Sequence, residues 1–225
     1  LLTRGHGRHA GLVRGGQGPK LRTVYQIGNR LAVTWKARLA EHLGGIAGEL
    51  VRGHAARFMD DPGRLACLAG AAAMAEATLP EREPHPRAYE GLLELLEALD
   101  ADVGWAARYV AWELALLAEL GFGLDLSRCA ATGETGDLIY VSPKSGQAVS
   151  SRAGEPYRDR LLPLPRFLLP GSNAAPSPRD VLDGLTLTDY FLEHRVFAPH
   201  HQKTPAARSR FVDVLQRMAT LSRAE

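Results

Sequence analysis

The first clear periodicity in the chain is an alternation of two. From Arg30 to Leu39, the residues Leu31, Val33, Trp35, Ala37 and Leu39 fall on one side, and Arg30, Ala32, Thr34, Lys36 and Arg38 on the other. That spacing predicts a strand with one apolar face for packing and one face bearing three cations. His9 to Arg14 reads as a preceding strand and Gly45 to Val51 as a further one, with a flexible loop at Gly15-Gly16-Gln17-Gly18-Pro19-Lys20 and a turn at Gly28-Asn29. Short strands joined by glycine-rich basic loops predict a small β-barrel.

Beyond Gly53 the period changes. Pro62 to Leu79, Pro86 to Leu99 and Val103 to Leu120 read as three helices; in the second, Leu92, Leu93, Leu95, Leu96 and Leu99 form a stripe opposite Glu90, Glu94 and Glu97. Gly121 and Gly123 stand where the third should stop. From Leu126 to Ser172 the pattern is irregular. Short β-like pieces (Leu138 to Val141, Ala148 to Ser151) are separated by turns at Thr132-Gly133 and Lys144-Ser145-Gly146, and the prolines of Leu161-Leu162-Pro163-Leu164-Pro165 forbid an unbroken helix. Helix signals return at Ser177-Pro178 with Asp180, at Thr186 before Leu187 to Arg195, and at Thr204-Pro205, which opens a helix to about Leu221. The expected class is α+β, mostly helical.

At 225 residues the chain has room for one large domain or two to three small ones. No stretch approaches the roughly 18 to 20 apolar residues of a membrane-spanning helix, so no membrane association is expected. The chain opens at Leu1-Leu2-Thr3 with neither Met nor a secretion signal, and the expectation is that its true beginning is missing. Two cysteines, Cys67 and Cys129, are too few for a disulfide framework or a four-cysteine metal site. They are read as structural thiols in a reducing, intracellular setting.

Charge changes this picture. The first forty residues hold Arg4, Arg8, Arg14, Lys20, Arg22, Arg30, Lys36 and Arg38 and no acid, whereas the remainder carries 19 basic and 25 acidic side chains. The net +2 therefore hides a polarised molecule. Arginine abundance alone is uninformative, since 23 Arg against 4 Lys is what a GC-rich genome produces. Codon bias does not forbid Asp and Glu, and their absence points either to a bound polyanion or to a solvated basic surface. Trp35 reads as core and, with Tyr25, as a candidate for base stacking.

Other chemistry is sparse. His6 and His9 lie in a β-like segment without a nearby carboxylate, which favours phosphate contact or solvation over metal ligation. A second basic patch is formed by Arg195, His200, His201, Lys203, Arg208 and Arg210, with His194 beside it, in a stretch free of acids from His194 to Val212. It reads equally as a DNA contact, a contact for an acidic peptide, or a solvated helix end. The Gly15 loop lacks the hydroxyl and strand-to-helix context of a phosphate-binding loop. No nucleophile motif is present, and Asp60-Asp61, Glu81 and Glu83 read as caps and loop charges. No site for a reaction and no cofactor is expected.

The run Leu120-Gly121-Phe122-Gly123-Leu124-Asp125-Leu126-Ser127-Arg128-Cys129, continued by Tyr140-Val141-Ser142-Pro143-Lys144-Ser145-Gly146, resembles the RecO family of recombination and repair mediators. Thr3-Arg4-Gly5-His6-Gly7-Arg8 with the Gly15-Gly16 loop, and Tyr190-Phe191-Leu192-Glu193-His194-Arg195, agree in order across essentially the whole chain. The resemblance implies an N-terminal OB-type β-barrel lacking its first strand (1–53), a helical domain (54–125), a zinc-ribbon-like insertion (126–175) and closing helices (176–225). Many members carry two Cys-x-x-Cys pairs in the insertion. Here the corresponding positions are Cys129, Thr132, Ser150 and Ala153, with Gly133 kept. A tetrahedral zinc site needs four thiolate or imidazole donors, so a degenerate insertion without metal is expected, held by Leu138, Tyr140 and Val149.

The function so implied is non-enzymatic. The chain would bind single- and double-stranded DNA, anneal complementary strands, engage RecR and the C-terminal tail of single-stranded-DNA-binding protein, and help load the recombinase, in the bacterial cytoplasm at the nucleoid. The DNA candidates are the eight N-terminal cations. Two other classes compete: a metal-dependent nuclease using the histidines and acidic helix connections, and an adaptor that binds only proteins.

Overall fold

The structure is a computed structural model that describes residues 1–39, 42–101 and 104–221. The N-terminal part consists of strands β1 (Leu2–Thr3), β2 (Gly7–Arg8) and β3 (Gly11–Leu12), helix α1 (Pro19–Val24), and strands β4 (Arg30–Lys36) and β5 (Gly44–Arg52). β1 and β2 form a hairpin in which Gly7 adopts φ +67°. A Cβ there would fall 2.0 Å from the Glu83 carbonyl oxygen, so glycine alone lets the hairpin approach the connection after residue 79.

β3, β5 and β4 form a three-stranded sheet in that order, β3 parallel and β4 antiparallel to β5. Among the described residues this sheet is open, and the expected closed barrel is not seen. β3 pairs over only two residues, Gly11 with Gly44 and Leu12 with Gly45, before Gly15 turns the chain at φ +69° and Pro19 starts a helix. The predicted strand over His9 to Arg14 is therefore shorter, and Pro19 and Lys20 are helical rather than loop. β4 follows the predicted alternation but ends at Lys36, short of Leu39. A β-bulge interrupts the β4–β5 ladder: Arg30 pairs with Arg52 and Leu31 with Leu50, leaving Val51 as the extra residue. Ile46 is the only buried hydrophobic side chain among the described residues before Phe58.

The helical body begins with α2 (Pro62–Thr78), α3 (Pro86–Ala101) and α4 (Trp105–Glu119). Asp61 caps α2 by accepting from the Arg64 amide at 2.9 Å. The expected start of α4 at Val103 lies outside the described residues. An insertion follows, with β6 (Leu138–Val141), β7 (Ala148–Ser150), the single-turn α5 (Ser151–Gly154) and β8 (Leu162–Pro163), whose sheet order is β7-β6-β8. The chain closes with α6 (Pro178–Phe191) and α7 (Ala206–Leu221). A capping box of Ser177 and Asp180 starts α6.

The separate helix expected from Leu187 to Arg195 is absent. Thr186 lies inside α6, its hydroxyl donating to the Leu182 carbonyl instead of capping a new start. α6 runs directly into a π-helical turn, Leu192–Phe197, and a 3-10 turn, Ala198–His200. The wider turn lets Leu192 and Phe197, five residues apart, both be buried while Glu193, His194 and Arg195 remain exposed.

α2 packs along α7 through small side chains: Gly70 faces the Phe211 Cβ and the Ala207 carbonyl, beneath Tyr109. Deeper in, Glu113 of α4 accepts from Arg208 of α7 through Nε at 2.6 Å and Nη2 at 2.9 Å, and from the Thr188 hydroxyl of α6 at 2.5 Å. Asp189 also takes Arg208 Nη1. Both Glu113 and Arg208 are buried. Burial opposes the charge on Arg208, but Glu113 and Asp189 outweigh it and raise its pKa further; burial pushes the Asp189 carboxyl up.

In the insertion the buried Cys129 thiol accepts from the Ser150 amide at 3.3 Å and approaches the Ser150 hydroxyl at 3.5 Å. Thr132 turns its hydroxyl to Glu134 at 3.2 Å, and Ala153 offers only a methyl group. One thiol and two hydroxyls do not fit a tetrahedral zinc ion. Burial opposes ionisation of Cys129, but hydrogen bonds, chiefly from the Ser150 hydroxyl and amide, prevail and lower its pKa to about 6.

Two outcomes follow from this packing. Arg208→Leu strands the Glu113 charge and should destabilise the protein by about 3–5 kcal/mol, read from urea unfolding, while a paired Glu113→Leu/Arg208→Met variant should lose much less. Because the folded pKa of Cys129 lies below its unfolded value near 9, its stabilisation is full above pH 9 and is lost as pH falls through 6. The unfolding midpoint of the wild type should therefore climb between pH 6 and 9 relative to Cys129→Ala.

Candidate nucleic-acid interface

Alternation along β4 puts Arg30, Ala32, Thr34 and Lys36 on one face, all exposed. Through the antiparallel register that face continues onto β5 with Ala47 opposite Thr34 and Glu49 opposite Ala32, so one acid stands among the cations. Arg38 is exposed just beyond the strand. On the other face, Leu31 and Val33 line a cleft of about 680 Å³ between the sheet and helices α2 and α3, walled by Tyr25, Leu92 and Leu96. This face is covered less than its composition predicts: Val33 is 37% exposed.

The eight predicted N-terminal cations fall into three groups. Arg30 and Lys36 share the outer face of β4, and Arg38 is exposed two residues past its end. Arg14 is exposed before the Gly15 turn, and Lys20 and Arg22 are exposed on α1, whose capping residue Tyr25 reaches the Val33 side of the sheet at Gly48. Arg4 and Arg8 are different. Arg4 pairs with Glu90 at 2.6 Å, and Arg8 pairs with Glu81 at 3.3 Å while donating to the Leu79 carbonyl at 2.9 Å. These two tie the hairpin to the helical body. Among the described residues none of the other six is ion-paired.

Trp35 is half-buried, with His9 at 5.4 Å between ring centroids and the Arg82 guanidinium 5.8 Å from its ring. It packs as core. Burial and the neighbouring Arg82 lower the pKa of His9, and His6 meets His9 edge-on at 6.4 Å. Among the described residues no group of three or more His, Cys, Asp or Glu is arranged to hold a metal ion.

Of the six residues expected in a second basic patch, five are at the surface. Arg195, His200, His201, Lys203 and Arg210 are exposed, and Arg195 donates to the Lys144 carbonyl at 2.8 Å, joining the turn of the insertion to the π turn. Arg208 is corrected: it points inward to Glu113 and cannot meet an external ligand. Sequence reasoning missed its partner, although a glutamate set between Trp112 and Leu116 in an apolar helical pattern is a signal that a buried cation must exist elsewhere. Sequence reasoning also passed over Arg52 and Arg57, which converge on Asp100 near the end of α3.

Among the described residues no helix is long and apolar enough to cross a membrane. Residues 1–54 match the family model described as Recombination protein O N terminal, and residues 59–204 match Recombination protein O C terminal. The division falls where the sheet gives way to the helices. A protein of Rhodospirillum centenum named DNA repair protein RecO is 54% identical over 224 residues, covering 99% of this chain and 88% of that one. Its namesake in Rhodospirillum rubrum is 51% identical over 229 residues, covering 99% and 90%, and that of Methylobacterium nodulans 51% over 216, covering 94% and 87%. With both parts matched in order and half the residues shared along nearly the full length, the chain belongs to the RecO family of DNA repair and recombination proteins.

Proposed function

We propose that the chain is a non-enzymatic mediator of recombinational repair that binds single-stranded DNA, anneals complementary strands, and helps load the recombinase onto DNA coated by single-stranded-DNA-binding protein. Duplex DNA, RecR and the acidic tail of the single-stranded-DNA-binding protein are its further partners in this reading. The observation that carries it is the set of six exposed cations of the N-terminal part that have no ion pair among the described residues, two of them on one face of β4 and a third just beyond its end. Cations on an exposed strand face meet phosphates at a spacing that ignores base identity, and each contact releases condensed counterions. The same positive surface reduces repulsion between two strands brought together for pairing.

Arg30→Glu/Lys36→Glu/Arg38→Glu should weaken binding to oligonucleotides of any sequence and reduce the slope of log affinity against log salt by about 2, at about 0.7 per phosphate contact on a single strand. Circular dichroism should be unchanged, because all three side chains are exposed. A slope equal to that of the wild type would remove this strand from the interface. Arg4→Glu should change the slope less than Arg30→Glu, since Arg4 is already held by Glu90. Strand annealing with and without single-stranded-DNA-binding protein tests the mediator role. Cleavage of the DNA in Mg²⁺ or Mn²⁺ that disappears on His6→Ala/His9→Ala would favour a nuclease, and failure to retain any oligonucleotide at low salt would favour a protein adaptor.

A further inference from the structure

The junction between sheet and helical body is built on one carboxylate. Asp100, 6% exposed near the C-terminal end of α3, accepts a hydrogen bond from Arg52 Nη2 at 2.5 Å and is ion-paired with Arg57 Nη1 at 3.2 Å, while the buried His54 Nδ1 lies 3.1 Å away without a hydrogen bond. All three converge on the same oxygen, Oδ2, while Oδ1 is buried without a hydrogen-bond partner. A carboxylate at a helix C-terminus faces the negative end of the helix dipole, so its place there depends on the two arginines. The arginines are held at one edge only. Their side chains remain 48% and 55% exposed, leaving about half of each open to solvent.

The bulge at Val51 decides which way Arg52 points. In an uninterrupted ladder Arg52 would share the face of Leu50 and Gly48, opposite Leu31 and Val33. The extra residue reverses the alternation, so that Arg52 stands directly opposite Arg30, on the face of Ala47 and Glu49. The cationic row of β4 thus runs past Arg30 to Arg52 and on to Arg57, and the carboxylate bound to its far end occupies the position of an anion.

We propose that Arg52 and Arg57 extend the single-strand binding surface to this junction, and that Asp100 is a resident counter-charge which they exchange for a backbone phosphate. The inference rests on the DNA-binding reading above and adds to it two contact residues and an intramolecular competitor. Since Asp100 belongs to the helical body and both arginines to the segment leaving the sheet, exchange would also release one of the links between the two parts.

Fluorescence anisotropy of a labelled oligothymidylate, titrated at several salt concentrations, tests this. Arg52→Gln/Arg57→Gln should lower the salt slope by about 1.4, two phosphate contacts' worth on a single strand. Asp100→Asn, which removes the competitor, should tighten binding by roughly two- to fivefold, the worth of a half-exposed ion pair. That gain should vanish when Asp100→Asn is placed in the Arg52→Gln/Arg57→Gln background. A wild-type slope in the double arginine variant overturns the proposal, as does an equal effect of Asp100→Asn in both backgrounds. Should Asp100→Asn fail to fold by circular dichroism, the slope of the arginine variant decides alone. If the wild type binds and Arg30→Glu/Lys36→Glu/Arg38→Glu weakens it while the arginine pair leaves the slope unchanged, only this inference falls. If the wild type binds no oligonucleotide, both fall.

Discussion

Helices α4, α6 and α7 converge on the carboxylate of Glu113. Two of its contacts come from the Arg208 guanidinium and one from the Thr188 hydroxyl, and Asp189 draws the same guanidinium from the α6 side. A charge buried this deeply is tolerable only when fully partnered, so the three helices have little freedom to slide or rotate against one another. Phe211 and Tyr109, with ring centroids 4.4 Å apart, pack in the same region, and Gly70 of α2 faces both. The position of α2 thus follows from that of α7.

The sheet that carries the candidate interface has no comparable anchor. With Ile46 as its one buried hydrophobic side chain before Phe58 among the described residues, it holds its place through links to the helical body: Arg4 to Glu90, Arg8 to Glu81, and the group around Asp100. These links lie at the surface or at the junction, where charge pairs contribute modestly and weaken with salt. A sheet mounted in this way is positioned by the helices through contacts that salt can loosen.

Much of this was legible in the residues. The three helices after Gly53 and the strand at Arg30 announce themselves because each repeats its period over enough residues for packing on one side to be unmistakable. The capping box at Ser177 and the proline-broken insertion are equally plain. Two-residue strands such as β1, β2 and β3 carry no period, and the shortening of the His9 to Arg14 strand depends on a turn and a helix start that local pattern does not rank. Arg208 misled for a different reason. It lies in an acid-free stretch beside the exposed Arg210, and its partners are 95 and 19 residues away in sequence. Arg52 was hidden by the bulge, since strict alternation from Gly45 assigns it to the wrong face.

The π turn at Leu192–Phe197 sits between the helix that carries Thr188 and Asp189 and the one that carries Arg208. Each residue of an α-helix advances about 100° around the axis, so a deletion or insertion inside this turn would put Leu192 and Phe197 out of step and turn one of the two buried side chains toward water. Of the exposed side chains in the turn, Glu193 can be exchanged with least effect, whereas Arg195 holds the Lys144 carbonyl and His194 stacks on Tyr190. In this stretch the count of residues is under stricter constraint than their identity, and an indel there would do more harm than most point substitutions.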